Sequence, residues 1–284
     1  MINLKKIIYK TGINSLRIFW RIKGNRTIRA FNEEFHVMAD TIFPNYRKFI
    51  LPKGGCLSKI VRYTDYVQLH SVVNYVSQLK NQPTIVDVGA HHGAYAVILG
   101  KIVQKMGGRV IAVEPNPQSF DVLKQNIRLN GLVDTVICEK VAIADKAGHI
   151  NIELIGSESK LTANQTNNSY IVEVITLEQL FKKHEIDYVD LLIVDVEGAE
   201  LLVLRGFPWH SVGVGKLFCE LHPYAWEDFN YSGNDIQDFL SEHQYSCFDM
   251  YFKEHGIFNT KDYIGPTLFV RSVLLKKSNK TELK

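Results

Sequence analysis

Four short stretches gather the residues best equipped to bind or move charge: Asp87, Gly89, His91, His92 and Gly93 in "IVDVGAHHGAYAVILG", Glu114 in "RVIAVEP", Asp195 and Glu197 in "LLIVDVEGAE", and Glu220 and His222 in "CELH". In the first, Asp87-x-Gly89-x-x-x-Gly93 sets a carboxylate just ahead of a glycine turn. A dinucleotide-binding turn wants Gly-x-Gly-x-x-Gly, so that the backbone can approach a pyrophosphate. Here Gly89, His91 and Ala94 hold those three places. His91 brings a Cβ where none should be, and Asp87 repels a phosphate and attracts positive charge. S-adenosylmethionine fits such a turn, having a sulfonium, an ammonium and no phosphate. Glycines in a strand–helix turn also serve packing alone.

Glu114 closes the next strand, where an acid accepts two ribose hydroxyls. NAD and S-adenosylmethionine share that ribose, so Glu114 supports a nucleoside cofactor without choosing between them. Asp145, in "AIADKAG", could meet the adenine amino group or cap a turn. His91 and His92 make a poor metal pair, because adjacent residues rarely point the same way. His92 is expected to be exposed or to face the acceptor.

On the acceptor side, Asp195 and Glu197 are two apart, so in an extended strand end they share a face. Glu220 and His222 repeat the arrangement. Such a group can serve as a base with its orienting partner, and an unperturbed His222 titrates near neutral pH. It can also hold a divalent cation, with Asp195 and Glu220 as ligands, that acidifies an acceptor hydroxyl. A purely structural role, Glu197 and Gly198 opening a helix, is the third option. Tyr224, Trp226, Phe229 and Tyr231 follow in "HPYAWEDFNY", either as platforms for a sugar or other ring or as core.

These residues need elements to position them. From residue 84 strand-like and helix-like segments alternate: "TIVDVG", "RVIAVEP", "VDTVICEKVAIAD", "VDLLIVDVEG" and "GKLFCELH" read as strands with helices between, and "HINIEL" as a hairpin arm. Continuous apolar strands alternating with helices predict an α/β fold with a parallel sheet covered on both faces. "SCFDMYF" and "TLFVRSV", joined by a loop, predict an antiparallel pair at the end. Ligands then belong at the carboxyl ends of the strands. Earlier, "TIRAFNEEFHVMA" alternates like a hairpin and "DYVQLHSVVNYVSQLK" is an amphipathic helix. The expected organisation is a basic N-terminal extension and cap over residues 1–80, a catalytic domain over 81–275 and a flexible tail over 276–284.

Residues 1–30 hold eight of the 33 basic residues and none of the 30 acidic ones, so the rest of the chain is acidic by five. That acidic body argues against nucleic acid, as does the absence of an Asn/Asp-Pro-Pro-aromatic run to grip a flipped base. The basic end, with Leu4, Ile7, Ile8, Leu16, Phe19 and Ile22 at roughly helical spacing, would suit peripheral contact with the inner surface of an anionic membrane, or would dock on its own domain. No run is long enough to span a bilayer, and Lys10 and Gly12 interrupt any signal-peptide core. Four separated cysteines (56, 138, 219 and 247) give no zinc pattern and suit a reducing cytoplasm. Oligomeric state is not legible here.

Taken together, "IVDVGAHHGAYA", "VIAVEPNPQSFDVLKQNIRLNG", "VAIADKAG", "LLIVDVEGAELLVLRG" and "CELH" resemble the FkbM-type methyltransferases over roughly residues 84–222. The resemblance implies a Rossmann-like seven-stranded methyltransferase sheet with a small N-terminal helical and hairpin cap. It also implies S-adenosylmethionine as donor and a hydroxyl acceptor on a sugar, glycolipid or secondary metabolite. Two positions depart from the pattern: His91 stands where the family usually has Asn, and Ile193 where it usually has Lys. His91 can still offer a ring nitrogen to the cofactor, whereas Ile193 puts any role of that Lys in doubt. An NAD-binding oxidoreductase and a non-catalytic nucleoside-binding scaffold stay open as alternatives.

Overall fold

The computed structural model describes residues 25–30, 33–38, 63–155, 158–162, 169–249, 254–255 and 265–271. The basic stretch over residues 1–24, Cys56 and the tail over 276–284 lie outside them. Among the described residues no helix is long and apolar enough to cross a membrane.

The strands are β1 (Asn25–Ala30), β2 (Glu33–Met38), β3 (Thr84–Val88), β4 (Arg109–Val113), β5 (Val136–Glu139), β6 (Ala142–Ile143), β7 (Gly148–Ile155), β8 (Glu158–Thr162), β9 (Ser169–Ile175), β10 (Tyr188–Val194), β11 (Gly213–Leu221), β12 (Tyr245–Asp249), β13 (Glu254–His255) and β14 (Gly265–Arg271). The α-helices are α1 (Tyr63–Gln78), α2 (Ala94–Gln104), α3 (Pro117–Leu129), α4 (Leu177–Lys183), α5 (Glu200–Arg205) and α6 (Gly233–Glu242), with a 3-10 helix over Pro223–Phe229.

The main sheet has the order β13-β12-β14-β11-β10-β3-β4-β5. β11, β10, β3, β4 and β5 pair in parallel, and β14 enters antiparallel between β11 and β12. The sheet is eight-stranded rather than seven, because the two-residue β13 adds to the free edge of β12. The stretch "VDTVICEKVAIAD", expected as one strand, divides into β5 in the main sheet and β6, which pairs with β9 in a separate sheet of order β6-β9-β7-β8.

Both faces of the parallel sheet are covered, which explains the unbroken apolar runs. Ile85, Leu191, Ile193 and Phe218 face α1, α2 and α3, and α1 packs through Leu69, Val72, Val73 and Val76, one helical stripe. Val86, Val88, Leu192, Val194, Leu217 and Cys219 face α4, α5 and α6. Helix starts follow local chemistry. Asn116 caps α3 by accepting from Gln118 and Ser119 N–H, with Pro117 next to it, and capping boxes open α4 (Thr176, Gln179) and α6 (Ser232, Asp235). Cys219 and Cys247 are buried thiols, and Cys138 is half-buried.

The hairpin β1–β2 packs beside α3, and Asn130 at the end of that helix bonds to it. Asn130 Oδ1 accepts from His36 N–H at 2.9 Å, and its Nδ2 donates to the carbonyls of His36 and Asn126, each at 2.7 Å. Asn130 thus completes the pairing of a strand while ending a helix. Asn130→Ala should release β2, costing about 1–3 kcal/mol in denaturant unfolding, and should raise hydrogen exchange at 33–38 well above the global rate.

Candidate active site

The strand order reverses between β3 and β10, and the charged residues meet there. Gly89 and Ala90 N–H both donate to Val113 O, at 3.0 and 2.9 Å, and bend the chain out of β3. Gly89 has φ +89°, and a Cβ on it would lie 1.7 Å from the backbone oxygen of Asp195, so only glycine lets the two strand ends close. Gly93, at φ +88°, starts α2, and a Cβ there would press to 2.6 Å from Leu123. His91 adopts φ +49° and donates its backbone N–H to Glu114 Oε2 at 2.7 Å, while Asn116 N–H donates to Glu114 Oε1 at 2.8 Å.

Asp87 is 1% exposed, and its Oδ2 is buried with no hydrogen-bond partner. Ile193, fully buried, is its register partner on β10, an apolar neighbour where a lysine would have supplied a counter-charge. Burial first, then the charge of Glu114, raises Asp87 to about 7, against the Ala96 backbone N–H. Burial likewise raises Glu114 to about 7, against the hydrogen bonds from Asn116 and His91. Two buried carboxylates, one of them with an orphaned oxygen, fit a cationic ligand bearing ribose hydroxyls and do not fit a pyrophosphate.

The histidine pair differs from expectation. The rings stack at 3.8 Å with a 23° interplanar angle, so the two side chains do point the same way, at a turn where His91 takes a left-handed φ of +49°. His91 is the exposed member and His92 is half-buried, its carbonyl held by Asn126 Nδ2 at 2.9 Å. Asp145 lies in the bend between β6 and β7. Its backbone packs near Gly206 at the close of α5, and among the described residues no hydrogen bond or ion pair joins it to Asp87, His91 or Glu114.

The acceptor-side residues converge by a different geometry from the one expected. Asp195 and Glu197 do not continue an extended strand: Glu197 (φ +50°) and Gly198 (φ +108°) form a left-handed turn, and α5 opens only at Glu200. His222 Nε2 faces that turn, 3.8 Å from Asp195 Oδ1 and 3.6 Å from Glu197 Oε2. These three, and not Asp195 with Glu220, make the cluster with metal-ligand spacing. Glu220 sits one strand over, near enough that its charge helps raise the pKa of Asp195, after desolvation, while His222 lowers it.

Glu200, which sequence reasoning missed, organises this side. It is fully buried and accepts from His222 Nδ1 at 2.8 Å, Gly198 N–H at 2.8 Å, Trp226 Nε1 at 2.9 Å and Tyr231 O–H at 3.1 Å. Its signal was a second glutamate in "EGAE" running straight into the apolar "LLVL", a charge at a core-facing helix start. Burial pulls the His222 pKa down, but the Glu200 hydrogen bond and the charges of Asp195, Glu200 and Glu197 overcome it and raise it to about 9. The near-neutral titration expected of a free imidazole is therefore absent.

Three of the four aromatics left open as platforms or core are not surface groups. Trp226 and Tyr231 are buried around Glu200 and Phe229 is half-buried, because the loop winds into a 3-10 helix against Gly198. Tyr224 alone is exposed, and its hydroxyl donates to Glu197 Oε2 at 2.5 Å.

Two outcomes test this geometry. Asp87 and Glu114 have folded-state pKa values above their unfolded values of about 4, so their stability contribution is full below pH 4 and is lost as pH rises through about 7. Thermal melting of the cofactor-free protein should therefore decline from pH 5 to 8 by a few degrees, on the order of 2 kcal/mol, and Asp87→Asn should flatten the decline. Glu200→Ala strands three buried donors (Gly198 N–H, His222 Nδ1 and Trp226 Nε1), the Tyr231 hydroxyl keeping Gly198 O, and should cost about 3–5 kcal/mol in urea unfolding, with Glu200→Gln costing less.

The sequence model of the methyltransferase FkbM domain matches residues 87–247. The chain is 26% identical over 184 residues to methyltransferase sdnD of Sordaria araneosa, covering 53% of this chain and 70% of that protein. It is 32% identical over 142 residues to the hexuronic acid methyltransferase AglP of Haloferax volcanii, covering 48% of this chain and 54% of that one, so the match spans about half of AglP. Among solved structures, methyltransferase FkbM of Methylobacillus flagellatus KT aligns with a TM-score of 0.43 at 15% identity, covering 69% of this chain and 47% of that one. An O-methyltransferase of Bacillus cereus in complex with SAH aligns with a TM-score of 0.44 at 14% identity, covering 78% and 84%. The matched span opens at Asp87 and takes in the glycine turn, Glu114 and the whole Asp195–His222 side, and on that match the chain belongs to the FkbM-domain family of S-adenosylmethionine-dependent methyltransferases.

Proposed function

We propose that the protein transfers a methyl group from S-adenosylmethionine to a hydroxyl of a sugar, glycolipid or secondary metabolite. The observation that carries the donor half is the buried, unpartnered Asp87 Oδ2 beside Glu114, a negative site waiting for a cation. The relative AglP, named for hexuronic acid, supports a sugar-like acceptor.

When bound, S-adenosylmethionine supplies an electrophilic methyl on a sulfonium, open to in-line attack by oxygen. Asp87, Gly89, His91, Gly93 and Glu114 would hold it: Asp87 by charge, Glu114 through the ribose, and the glycines by keeping the turn tight against Asp195. The backbone N–H of Asp195 donates to Val88 O at 2.9 Å, so the acceptor-side cluster begins one residue from the donor turn. Asp195, Glu197, Glu220 and His222 would orient the acceptor hydroxyl and take its proton on this cluster. Tyr224, exposed with its ring edge-on to His222 at 5.8 Å, would border the acceptor.

By isothermal calorimetry the wild type should bind S-adenosylmethionine and Asp87→Ala should lose at least tenfold in affinity; equal affinity would remove Asp87 from the site. His222→Ala and Glu220→Gln should each slow methyl transfer, and unchanged rates in both would take them out of the reaction. Labelled donor incubated with cell extract, followed by mass spectrometry of the labelled product, identifies the acceptor.

A further inference from the structure

Asp195, Glu197 and His222 each offer one ligand atom, and the three atoms lie within 4.8 Å of one another. The two ring nitrogens of His222 are in different circumstances. Nδ1 is committed to Glu200 at 2.8 Å. Nε2 makes no hydrogen bond although the residue is 4% exposed, and it stands 3.6 and 3.8 Å from the Glu197 and Asp195 oxygens. Those separations are too long for hydrogen bonds. They are the separations of groups arranged round a shared ion, since oxygen and nitrogen ligands about 2.1 Å from one ion lie roughly 3–4 Å from each other.

Two further features agree. A ligating imidazole characteristically gives its other nitrogen to a carboxylate, which sets the tautomer and the ring plane. Glu200 occupies that place, itself fixed by Gly198, Trp226 and Tyr231. Charge balance points the same way: among the described residues no Lys or Arg pairs with Asp195, Glu197 or Glu200, and His222 is their shared partner. Glu197 has in addition the Tyr224 hydroxyl, a neutral donor, so a single imidazole stands against three carboxylates.

We propose that Asp195, Glu197 and His222 bind a divalent cation, with Glu200 as the positioning residue for the His222 ring. Two carboxylate oxygens and one imidazole nitrogen, with no thiolate, suit Mn2+ or Mg2+. The ion would sit beside the donor turn, because the Asp195 backbone is the surface against which Gly89 closes. For the methyl transfer proposed above, on which this role rests, the ion would favour acceptors that chelate, presenting the reacting hydroxyl next to a second oxygen as in a vicinal diol or a hydroxy-carboxylate. The binding itself does not rest on that reading.

The test is a Mn2+ titration of the full chain, followed by loss of the free-ion paramagnetic resonance signal, with S-adenosylmethionine affinity measured in parallel on the same samples. The expected result is one Mn2+ per chain, at least tenfold weaker binding in D195N and in E197Q, and weaker binding in E200Q, whose side chain holds the ring, Gly198, Trp226 and Tyr231 and is not itself among the three ligands. S-adenosylmethionine affinity should be kept in E197Q, which also shows that variant to be folded. Absent Mn2+ binding in a wild type that binds S-adenosylmethionine overturns the cation site and leaves the methyltransferase reading standing. Mn2+ binding of equal strength in all three variants overturns it too. Mn2+ binding without S-adenosylmethionine binding upholds the ion and sinks the function proposed above.

Discussion

The approach of Gly89 to the backbone oxygen of Asp195 is the constraint on which the site depends. β3 and β10 are neighbours at the point where the sheet changes direction, and their ends carry Asp87 and the glycine turn on one side and Asp195 and Glu197 on the other. A side chain at residue 89 would hold those ends apart. With none, the Asp195 N–H reaches Val88 and the two halves of the site share a backbone wall. For the methyl transfer proposed above, which demands donor and acceptor in line, that shared wall would place the two halves relative to each other before any substrate arrives.

Around this wall the protein collects buried negative charge and treats each carboxylate differently. Glu200 is surrounded by donors, including an imidazole, and reads as a structural anchor that also sets a ring. Glu114 is held by two backbone N–H groups, which fix its direction without supplying a full positive charge. Asp87 keeps one oxygen with no partner at all. Burying an uncompensated carboxylate is costly, and an unpaired polar atom in an otherwise satisfied interior marks a place built for something else. Ile193 sharpens this, since it puts an apolar side chain at the register position next to Asp87.

Much of the scaffold was legible in the residues themselves. Unbroken apolar strands such as "TIVDV" and "LLIV" meant a sheet covered on both sides, and "NP", "TLEQ" and "SGND" carried their own helix starts, because capping is a contact over three residues and needs no tertiary partner. The division of "VDTVICEKVAIAD" into β5 and β6 was not legible. Both halves are β-like in composition, and only the presence of β9 as a partner for β6 pulls them into different sheets. The loop aromatics were ambiguous for a related reason: an aromatic at a loop position is core or platform according to what lies beneath it, and beneath Trp226 and Tyr231 lies Glu200.

By itself, then, the sequence determined the alternation of elements, the glycine turn and the placing of Asp87, Gly89 and Glu114 at strand ends, because these depend on local backbone demands and on charge set at strand ends. Tertiary structure decided which acceptor-side groups meet. Asp195 and Glu197 come together through a left-handed turn at Glu197 and Gly198, whose closeness to Ala225 no spacing rule conveys. His222 is aimed by Glu200, which is distant from it in sequence and 2.8 Å away in space. A ring's direction is set by what its other nitrogen bonds to, and that partner is chosen by the packing of β11 against α5, which the order of residues along the chain does not display.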